Sequence, residues 1–306
     1  MNKQLKRNTM ITNSVVSKKR DRKMQKFGFL VLAILLLSLN LAASEEKLSG
    51  EEIAYRHQYR PTYQHDECTA LEMKLINAKG QIRKREFLRY QMKFPLEDPG
   101  KEPLKKTLIK FLYPNDIKDT GTYNEEVSGR DDIQDLYLPA AKKLRRISVK
   151  NQSWMGSDFN YEDLQELEFS DYRYDYLRSE AVDGIDCYVY SMTPVTPDKS
   201  IYGKQIRWVE KNEYYLVRTE YYDQAMQLIK TNEFRDFQKV NGVTYAWTIL
   251  AESLADHHRT EMKRRWIFLE TGLDEKRVTT RYLEKPIDTY NHPSDLWTIW
   301  KKTLTN

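Results

Sequence analysis

The amino-acid sequence predicts a mainly β protein with a few helices, of the α+β class, built on one strongly curved antiparallel sheet. Aromatic residues are frequent, with 21 Tyr, 10 Phe and 6 Trp against 11 Gly, which favours extended strands over glycine-rich phosphate loops. Apolar residues recur at every second position in many short segments separated by tight-turn dipeptides. Strands and helices do not alternate, so a doubly wound parallel sheet is not expected.

The first predicted element is an export signal over residues 1–44. The apolar run 29–43 follows a cluster of basic residues and ends in small residues at 42–44, which is typical of a secretory signal peptide. The run is shorter than the roughly 20 residues that a membrane-spanning helix needs, although a retained anchor is an alternative interpretation. Met24 directly precedes the basic and apolar run, so residues 1–23 are expected to be an extension before the true start.

The export signal also accounts for the basic charge of the chain. Residues 1–44 hold nine Lys and Arg against one acid, Asp21, and their removal leaves 41 basic and 44 acidic residues. No basic excess then remains, so a nucleic-acid partner is not expected. No Cys lies near residue 44, which excludes lipid attachment at that point. We expect the mature protein in the periplasm, with residues 45–306 forming a single domain because no repeat or linker interrupts them.

The mature chain is predicted to begin with a short helix and to continue as strands. Ser49 and Glu52 have the spacing of a capping box, which predicts a helix as far as about Gln58. Apolar alternation then predicts two strands. Their apolar faces consist of Leu71, Met73 and Leu75, and of Leu88, Tyr90, Met92 and Phe94. Further short strands are predicted over residues 108–113 and 136–138.

The second half of the chain is predicted to form an antiparallel meander. Asp183-Gly184 and Asn241-Gly242 are hairpin-turn dipeptides between alternating segments. Helices are predicted over residues 158–167 and 294–304, the second with an apolar face. A strongly curved sheet wrapped around helices is the economical way to bury a domain of this length.

The sequence contains little that indicates catalysis or cofactor chemistry. No glycine-rich phosphate loop is present, and Ser157 lacks the Gly-x-Ser-x-Gly context of an exposed nucleophile, so a helix-capping role for Ser157 or Asp158 is favoured. His257 and His258 would point to opposite faces of a strand, which is unfavourable for joint metal binding. We therefore expect no enzyme activity, cofactor or metal site.

Two cysteines and several aromatic residues leave alternatives open. Cys68 and Cys187 would either form one disulfide in an oxidising compartment or be two separate buried thiols. Trp208, Tyr221 and Trp247 lie in predicted strands, where they would fill the core or line an apolar concavity for a ligand. Alternation does not indicate which strand face points inwards. Ile206 and Ile249, each two positions from a Trp, make Trp208 and Trp247 the favoured inward candidates.

A distinctive motif occupies residues 132–163 and reads DIQDLYLPAAKKLRRISVKNQSWMGSDFNYED. Its most characteristic residues are Trp154, Met155, Gly156, Ser157, Asp158, Phe159, Tyr161 and Asp163. Weaker matches include Met73-Lys74-Leu75 with Gly80 and Arg85, residues 108–114, Gly184 with Cys187-Tyr188-Val189, Trp208-Val209 and Tyr221-Tyr222-Asp223. Over about residues 50–285 the chain resembles the outer-membrane lipoprotein-sorting-like family, relatives of the periplasmic lipoprotein carriers LolA and LolB.

This resemblance implies a fold and a function. The fold would be a sheet of about eleven antiparallel strands, curved into a half-open barrel and closed by helices. The function would be lipid binding in an apolar cavity, in partnership with an RND-type transporter of hydrophobic molecules. Arg145 and Arg146 would then fix a lid or contact an anionic head group, or else form surface salt bridges.

The leading hypothesis is a non-enzymatic periplasmic carrier that binds a lipid or a lipidated protein and delivers it to the outer membrane. The first alternative is a regulatory or sensor module with a protein partner, because the same fold superfamily includes such proteins. The second is a hydrolase, which would require a clustered nucleophile and base that the sequence does not show. The sequence does not indicate the ligand's identity, the direction of transport or the oligomeric state.

Overall fold

The computed structural model describes residues 48–94, 105–126, 132–147 and 151–286. The predicted export signal and the predicted helix at 294–304 lie outside these described residues. Residues 49–286 lie within one compact unit. In the described part of the chain, neither α-helix is both long enough and apolar enough to cross a membrane.

The unit is built on one antiparallel sheet of 13 strands, two more than the resemblance implies. The strands are β1 (Asp66–Ile76), β2 (Ile82–Lys93), β3 (Lys105–Tyr113), β4 (Gly121–Glu126), β5 (Ile133–Leu138), β6 (Lys143–Arg146), β7 (Tyr172–Val182), β8 (Ile185–Pro194), β9 (Lys204–Glu210), β10 (Leu216–Tyr222), β11 (Leu228–Val240), β12 (Val243–Ser253) and β13 (His258–Leu269). The described residues also form two α-helices, α1 (Gly50–Gln58) and α2 (Thr280–Leu283).

The strand order shows two meanders that meet in the middle of the sheet. The order is β6-β5-β4-β3-β2-β1-β13-β12-β11-β10-β9-β8-β7, so β1 pairs with β13 and the edges are β6 and β7. The two edge strands do not pair with each other, which leaves the sheet as a half-open barrel. The chain between them has to pass from one edge of the sheet to the other. We call residues 151–171 of this connection the crossover segment.

The predicted alternation and the predicted hairpin turns are confirmed. Leu71, Met73 and Leu75 share one apolar cluster, and Leu88, Tyr90 and Met92 share another. Asp183-Gly184 and Asn241-Gly242 join β7 to β8 and β11 to β12, and all four residues have positive φ angles. Positive φ at both central positions is what a two-residue type I′ hairpin turn requires.

Helix α1 agrees with the prediction in its position and in its cap. The Ser49 hydroxyl accepts a hydrogen bond from the backbone N–H of Glu52 at 3.0 Å, and the helix ends at Gln58. Its first residue, Gly50, lies against β7 so closely that a Cβ atom there would be 2.4 Å from the backbone of Asp175. This close approach allows α1 to pack on the sheet near one edge.

The predicted helix at residues 158–167 is wrong. The crossover segment contains only short 3₁₀ turns, at Trp154–Gly156, Tyr161–Leu164 and Phe169–Asp171. Phe159 and Tyr161 are both buried, with 6% and 3% of their surfaces exposed. On an α-helix these two residues would point about 200° apart. An irregular backbone allows both side chains to be buried, and this requirement overrides helix propensity.

The sheet carries apolar clusters on both of its faces. The inner face is the one that the crossover segment covers, and here Leu71, Met73, Phe87 and Phe111 pack against Trp154. On the outer face Cys68, Leu88 and Leu108 pack against the chain that follows β13, through Leu273, Val278, Tyr282 and Leu283. Because β1 and β3 are covered on both sides, most of their residues are buried.

Candidate ligand-binding cavity

A cavity of about 280 Å³ lies between the inner face of the sheet and the crossover segment. Ten of its lining residues are apolar or aromatic: Ile109, Tyr123, Phe159, Tyr161, Leu164, Leu216, Tyr221, Phe234, Ile249 and Met262. The others are Thr107, Thr122, Asn124, Gln134 and Asn232, with the charged residues Arg89, Asp135, Asp163 and Arg207. The wall is therefore more apolar than polar, and it contains five uncharged polar and four charged residues.

The lining shows that the inner face is concave. Asp135 lies on β5 and Arg207 on β9, and these strands are nine steps apart in the sheet. In a flat sheet nine steps would separate them by roughly 43 Å, at about 4.8 Å per strand. Only strong curvature can bring both residues to one small cavity, so the cavity is a direct product of the half-open barrel.

The family motif fixes the crossover segment to the sheet. The Trp154 ring is completely buried, with ring centroids 5.5 Å from Phe87 and 5.6 Å from Phe111. The Met155 carbonyl accepts a hydrogen bond from Arg85, and the Ser157 hydroxyl donates to the Trp154 carbonyl at 2.6 Å. These contacts give Trp154 and Ser157 structural roles.

The turn after Trp154 depends on left-handed backbone. Met155 has φ +54° and Gly156 has φ +69°, and the second value is in the region that glycine adopts most readily. Gly156 is exposed, and a Cβ atom there would meet only Arg85, at 3.9 Å. The motif therefore needs glycine at this position for its backbone conformation and not for a close contact.

Asp158 holds the crossover segment to β13 and does not cap a helix as predicted. Its Oδ2 accepts hydrogen bonds from the Thr260 hydroxyl at 2.6 Å and from His258 Nδ1 at 2.9 Å. The N-cap of the following 3₁₀ turn is Asn160, whose backbone N–H donates to Asp163 at 2.7 Å. The cap therefore starts two residues later than the sequence pattern indicates, and the Asp158 carboxylate is directed towards the sheet.

Asp163 forms a second and deeper connection to the sheet. Its carboxylate pairs with the ammonium of Lys230 on β11, and these side chains are only 3% and 5% exposed. The Tyr202 hydroxyl donates to Asp163 Oδ1 at 2.9 Å, while Lys230 lies 4.8 Å and 4.3 Å from the ring centroids of Tyr202 and Tyr221. Burial lowers the pKa of Lys230, and the Asp163 carboxylate opposes this effect.

The structure brings only part of the predicted ligand-binding set to the cavity. Tyr221 lines it, as do Phe159, Tyr161 and Asp163 of the motif. Trp247 is half-buried and does not line the cavity, although Ile249, two positions along β12, does. Arg145 is exposed on the edge strand β6.

Trp208 does not line the cavity, because it lies on the outer face of the sheet. Its neighbour Arg207 lines the cavity, and successive residues of a strand point to opposite faces. The Trp208 ring packs between the guanidinium groups of Arg178 and Arg218, at 5.6 Å and 5.2 Å, and its indole N–H donates to Glu180. On this outer face Trp208 belongs to an apolar cluster that also contains Val189.

Arg146 forms a salt bridge at the rim of the sheet. Its Nε lies 2.7 Å from Oδ1 of Asp135, and the arginine side chain is 58% exposed while the aspartate is 6% exposed. Asp135 lines the cavity, so Arg146 neutralises a carboxylate of the wall from outside. This arrangement is the surface salt bridge that the sequence left as one alternative for this residue.

Cys68 and Cys187 are separate buried thiols in the structure and do not form a disulfide. They lie on β1 and β8, with five strands between them in the sheet, and belong to different apolar clusters. Burial raises the pKa of the Cys68 thiol to about 12 and that of Cys187 to about 11. Both cysteines therefore pack as small apolar residues.

Three polar residues of the cavity are not indicated by the sequence. Arg207 lies between Ile206 and Trp208, so alternation alone would place it on a solvent-exposed face. Asn124 and Asn232 have polar neighbours in the sequence and carry no motif. Their positions follow from the curvature of the sheet, which no local pattern predicts.

The comparisons with known proteins agree with this architecture. A family model described only as "uncharacterized protein" matches residues 104–285. No match is found among curated proteins. The structure of an outer membrane lipoprotein-sorting protein domain from Vibrio parahaemolyticus is 30% identical, with a TM-score of 0.70 over 77% of this chain and 98% of that one.

Two further solved structures share the fold. A DUF1329 family protein from Desulfovibrio piger is 29% identical, with a TM-score of 0.71 over 76% of this chain and 97% of that one. A LolA superfamily protein from Nitrosomonas europaea is 17% identical, with a TM-score of 0.59 over 77% of this chain and 99% of that one. The chain therefore belongs to the outer-membrane lipoprotein-sorting-like family, and it shares its fold with the LolA superfamily protein.

Proposed function

We propose that this protein is a non-enzymatic carrier that binds the acyl chain of a lipid or of a lipidated protein. The observation that carries the proposal is the mainly apolar cavity on the concave inner face. Each methylene of an acyl chain that leaves water contributes about 0.8 kcal/mol. A soluble carrier gains this free energy only if it encloses the chain, and a half-open barrel with a covering segment provides such an enclosure.

The size of the cavity suggests how a ligand enters. Its 280 Å³ lies just below the roughly 300–1,000 Å³ of ordinary small-molecule sites. Phe159, Tyr161 and Leu164 of the crossover segment form part of the wall, so an outward movement of this segment would enlarge the cavity. We propose that the crossover segment acts as the roof of the site and adjusts to the length of the bound chain.

The finer parts of the proposal concern compartment and partners. Export by the signal at residues 1–44, with a single domain over residues 45–306, would place the protein in the periplasm. There it would receive its ligand from, or give it to, an RND-type transporter and deliver it towards the outer membrane. Amino-terminal sequencing of the exported protein tests the signal, because a retained Met24 start on a membrane-bound product would indicate an anchor instead.

The central experiment identifies the ligand directly. Gently purified protein is extracted with organic solvent, and mass spectrometry should detect an acyl lipid in near-stoichiometric amount. Delipidated protein should then bind a fluorescent fatty-acid probe. Recovery of a stable protein partner without any lipid, and no probe binding, would contradict the carrier and favour a regulatory binding module.

Two neighbouring residues of β12 provide a matched pair of variants. Ile249 and Leu250 are both half-buried, but only Ile249 lines the cavity. Ile249→Gln should weaken probe binding at least about five-fold, because an amide without a partner is costly in an apolar site. Leu250→Gln should change the affinity less than two-fold. Equal effects of the two substitutions would mean that the probe does not bind in this cavity.

A further inference from the structure

Among the described residues, the charged side chains of the cavity wall are paired with one exception. Arg89 pairs with Glu67, Asp135 with Arg146, and Asp163 with Lys230. Arg207 also lines the cavity, and among the described residues no carboxylate lies within the 4.0 Å of an ion pair from its guanidinium group. Within the part of the chain that the structure describes, the wall therefore carries one cation that no acid neutralises.

The groups around Arg207 are neutral. Its Nε and one terminal nitrogen donate to the side-chain oxygen of Gln205, at 3.3 Å and 2.9 Å. The phenols of Tyr190, Tyr221 and Tyr172 lie near it, and the guanidinium group also hydrogen-bonds to Tyr190. An arginine side chain stays protonated at any physiological pH. A guanidinium held in a largely apolar wall without a counter-ion is unfavourable, and a bound anion would remove this cost.

The same cavity holds buried amides without partners, which is an independent observation. Asn124 is 8% exposed, and in the described part of the chain neither its amide nitrogen nor its amide oxygen has a hydrogen-bond partner. Asn232 is 3% exposed, and its amide oxygen likewise has none. Both residues line the cavity. Buried polar groups are nearly always hydrogen-bonded, so these amides are available to bind polar atoms that enter the cavity.

We propose that Arg207 binds the oxyanion of an acyl lipid's head group, a carboxylate or a phosphate, inside the cavity. This inference rests on the proposed carrier function and names the class of ligand: an anionic amphiphile whose chain lies along the apolar wall. The planar guanidinium can donate two parallel hydrogen bonds to such an anion, which gives both affinity and orientation. Asn124 provides an unused amide donor for a further oxygen of the head group.

The first measurement compares ligands that differ only in charge, with the full-length mature protein in 0.15 M salt at pH 8. Laurate and dodecanol share a twelve-carbon chain, as do 1-lauroyl lysophosphatidate and monolauroylglycerol. Calorimetry should show that at least one anion binds about ten-fold more tightly than its neutral counterpart. The pair with the larger ratio identifies the anion as carboxylate or phosphate. Equal affinities within both pairs would overturn the assignment to Arg207 but leave the carrier function intact.

The second measurement uses variants. Arg207→Gln should lose the preference for the anion and bind dodecanol within about two-fold of wild type, while Arg207→Lys should keep part of the preference. Arg218→Gln is the matched control, because Arg218 lies opposite Trp208 on the outer face. An undiminished preference in folded Arg207→Gln, or an equal loss in Arg218→Gln, would overturn the proposal. Absence of binding by all four amphiphiles to wild-type protein would instead overturn the carrier function together with it.

Discussion

The ammonium of Lys230 on β11 and the carboxylate of Asp163 in the crossover segment form a buried ion pair that joins the roof of the cavity to its floor. Tyr202 extends the pair, because its hydroxyl donates to Asp163 and accepts from Lys230. Another connection of the roof, from Asp158 to His258 and Thr260, lies on β13. These two connections hold the crossover segment to two separate strands, in addition to the contacts of Met155 with Arg85 and of Glu166 with Lys105.

The first prediction concerns this ion pair. Asp163→Ala should lower the free energy of unfolding by about 3–5 kcal/mol, because it leaves the Lys230 charge buried without a partner. The double variant Asp163→Leu with Lys230→Met should recover much of this loss, since it removes both charges at similar volume. Urea denaturation at pH 7 measures both. A single variant as stable as wild type would mean that the pair is accessible to water.

The second prediction concerns the turn at Gly156. Gly156→Val should lower the free energy of unfolding by about 1–2 kcal/mol, because the φ of +69° disfavours residues with a Cβ atom and β-branched residues most of all. Gly156→Asn is the control and should lose less, since Asn tolerates left-handed backbone. Chemical denaturation decides the matter. A wild-type midpoint for Gly156→Val would indicate that the motif acts in binding and not in folding.

Much of the sheet could be predicted from local patterns. The strand faces of Leu71 and Leu88 and the turns at Gly184 and Gly242 all depend on neighbouring residues, and the structure confirms them. The helix cap at Ser49 also depends on a residue close in sequence, Glu52. Period-two alternation and turn chemistry therefore predict these strands and turns.

The candidate site could not be predicted in the same way. Alternation is symmetric, so it does not indicate whether Arg207 or Trp208 points inwards, and the choice depends on the direction of sheet curvature. The predicted helix after Asp158 was wrong because burial of both Phe159 and Tyr161 overrides local propensity. Asn124 and Asn232 meet at the cavity only after two meanders pair through β1 and β13. These relationships join residues that are far apart in the sequence, so no local pattern predicts them.

The third prediction concerns pH. Lys105 lies 2.7 Å from Glu126 on β4 and 2.8 Å from Glu166 in the crossover segment. Burial raises the pKa of Glu126 from 4.5 to about 7, although Lys105 acts in the opposite direction. A carboxyl with a raised pKa binds its proton more tightly in the folded state, so its contribution to stability is present below about pH 4.5 and is lost as pH rises through 7.

Glu126→Gln should therefore become more stable relative to wild type as pH rises from 5 to 8. The variant keeps a polar side chain beside Lys105 but does not have to release a proton. Urea midpoints at pH 5 and pH 8 test this. Glu125→Gln is the control, because Glu125 accepts a hydrogen bond from Tyr123 and has no part in the Lys105 cluster. A constant difference between Glu126→Gln and wild type at both pH values would contradict the prediction.

The last prediction separates the two faces of the sheet through Trp208 and Tyr221. Trp208 lies under Arg178 and Arg218 on the outer face, whereas Tyr221 lines the cavity and accepts a hydrogen bond from Asn232 at 3.0 Å. Trp208→Leu should lower the free energy of unfolding by about 2–4 kcal/mol, because a buried aromatic side chain is replaced by a smaller one. It should leave the affinity for a fatty-acid probe within about two-fold of wild type.

Tyr221→Leu should affect the affinity for the probe more strongly than Trp208→Leu does. The change removes a ring from the wall of the cavity and the partner of Asn232, so probe affinity should fall at least about five-fold. Thermal unfolding and probe titration are measured on the same preparations, and affinity is compared only at temperatures where both variants are folded. A loss of probe binding in folded Trp208→Leu that matches Tyr221→Leu would place the ligand on the outer face. The concave cavity would then no longer be the binding site.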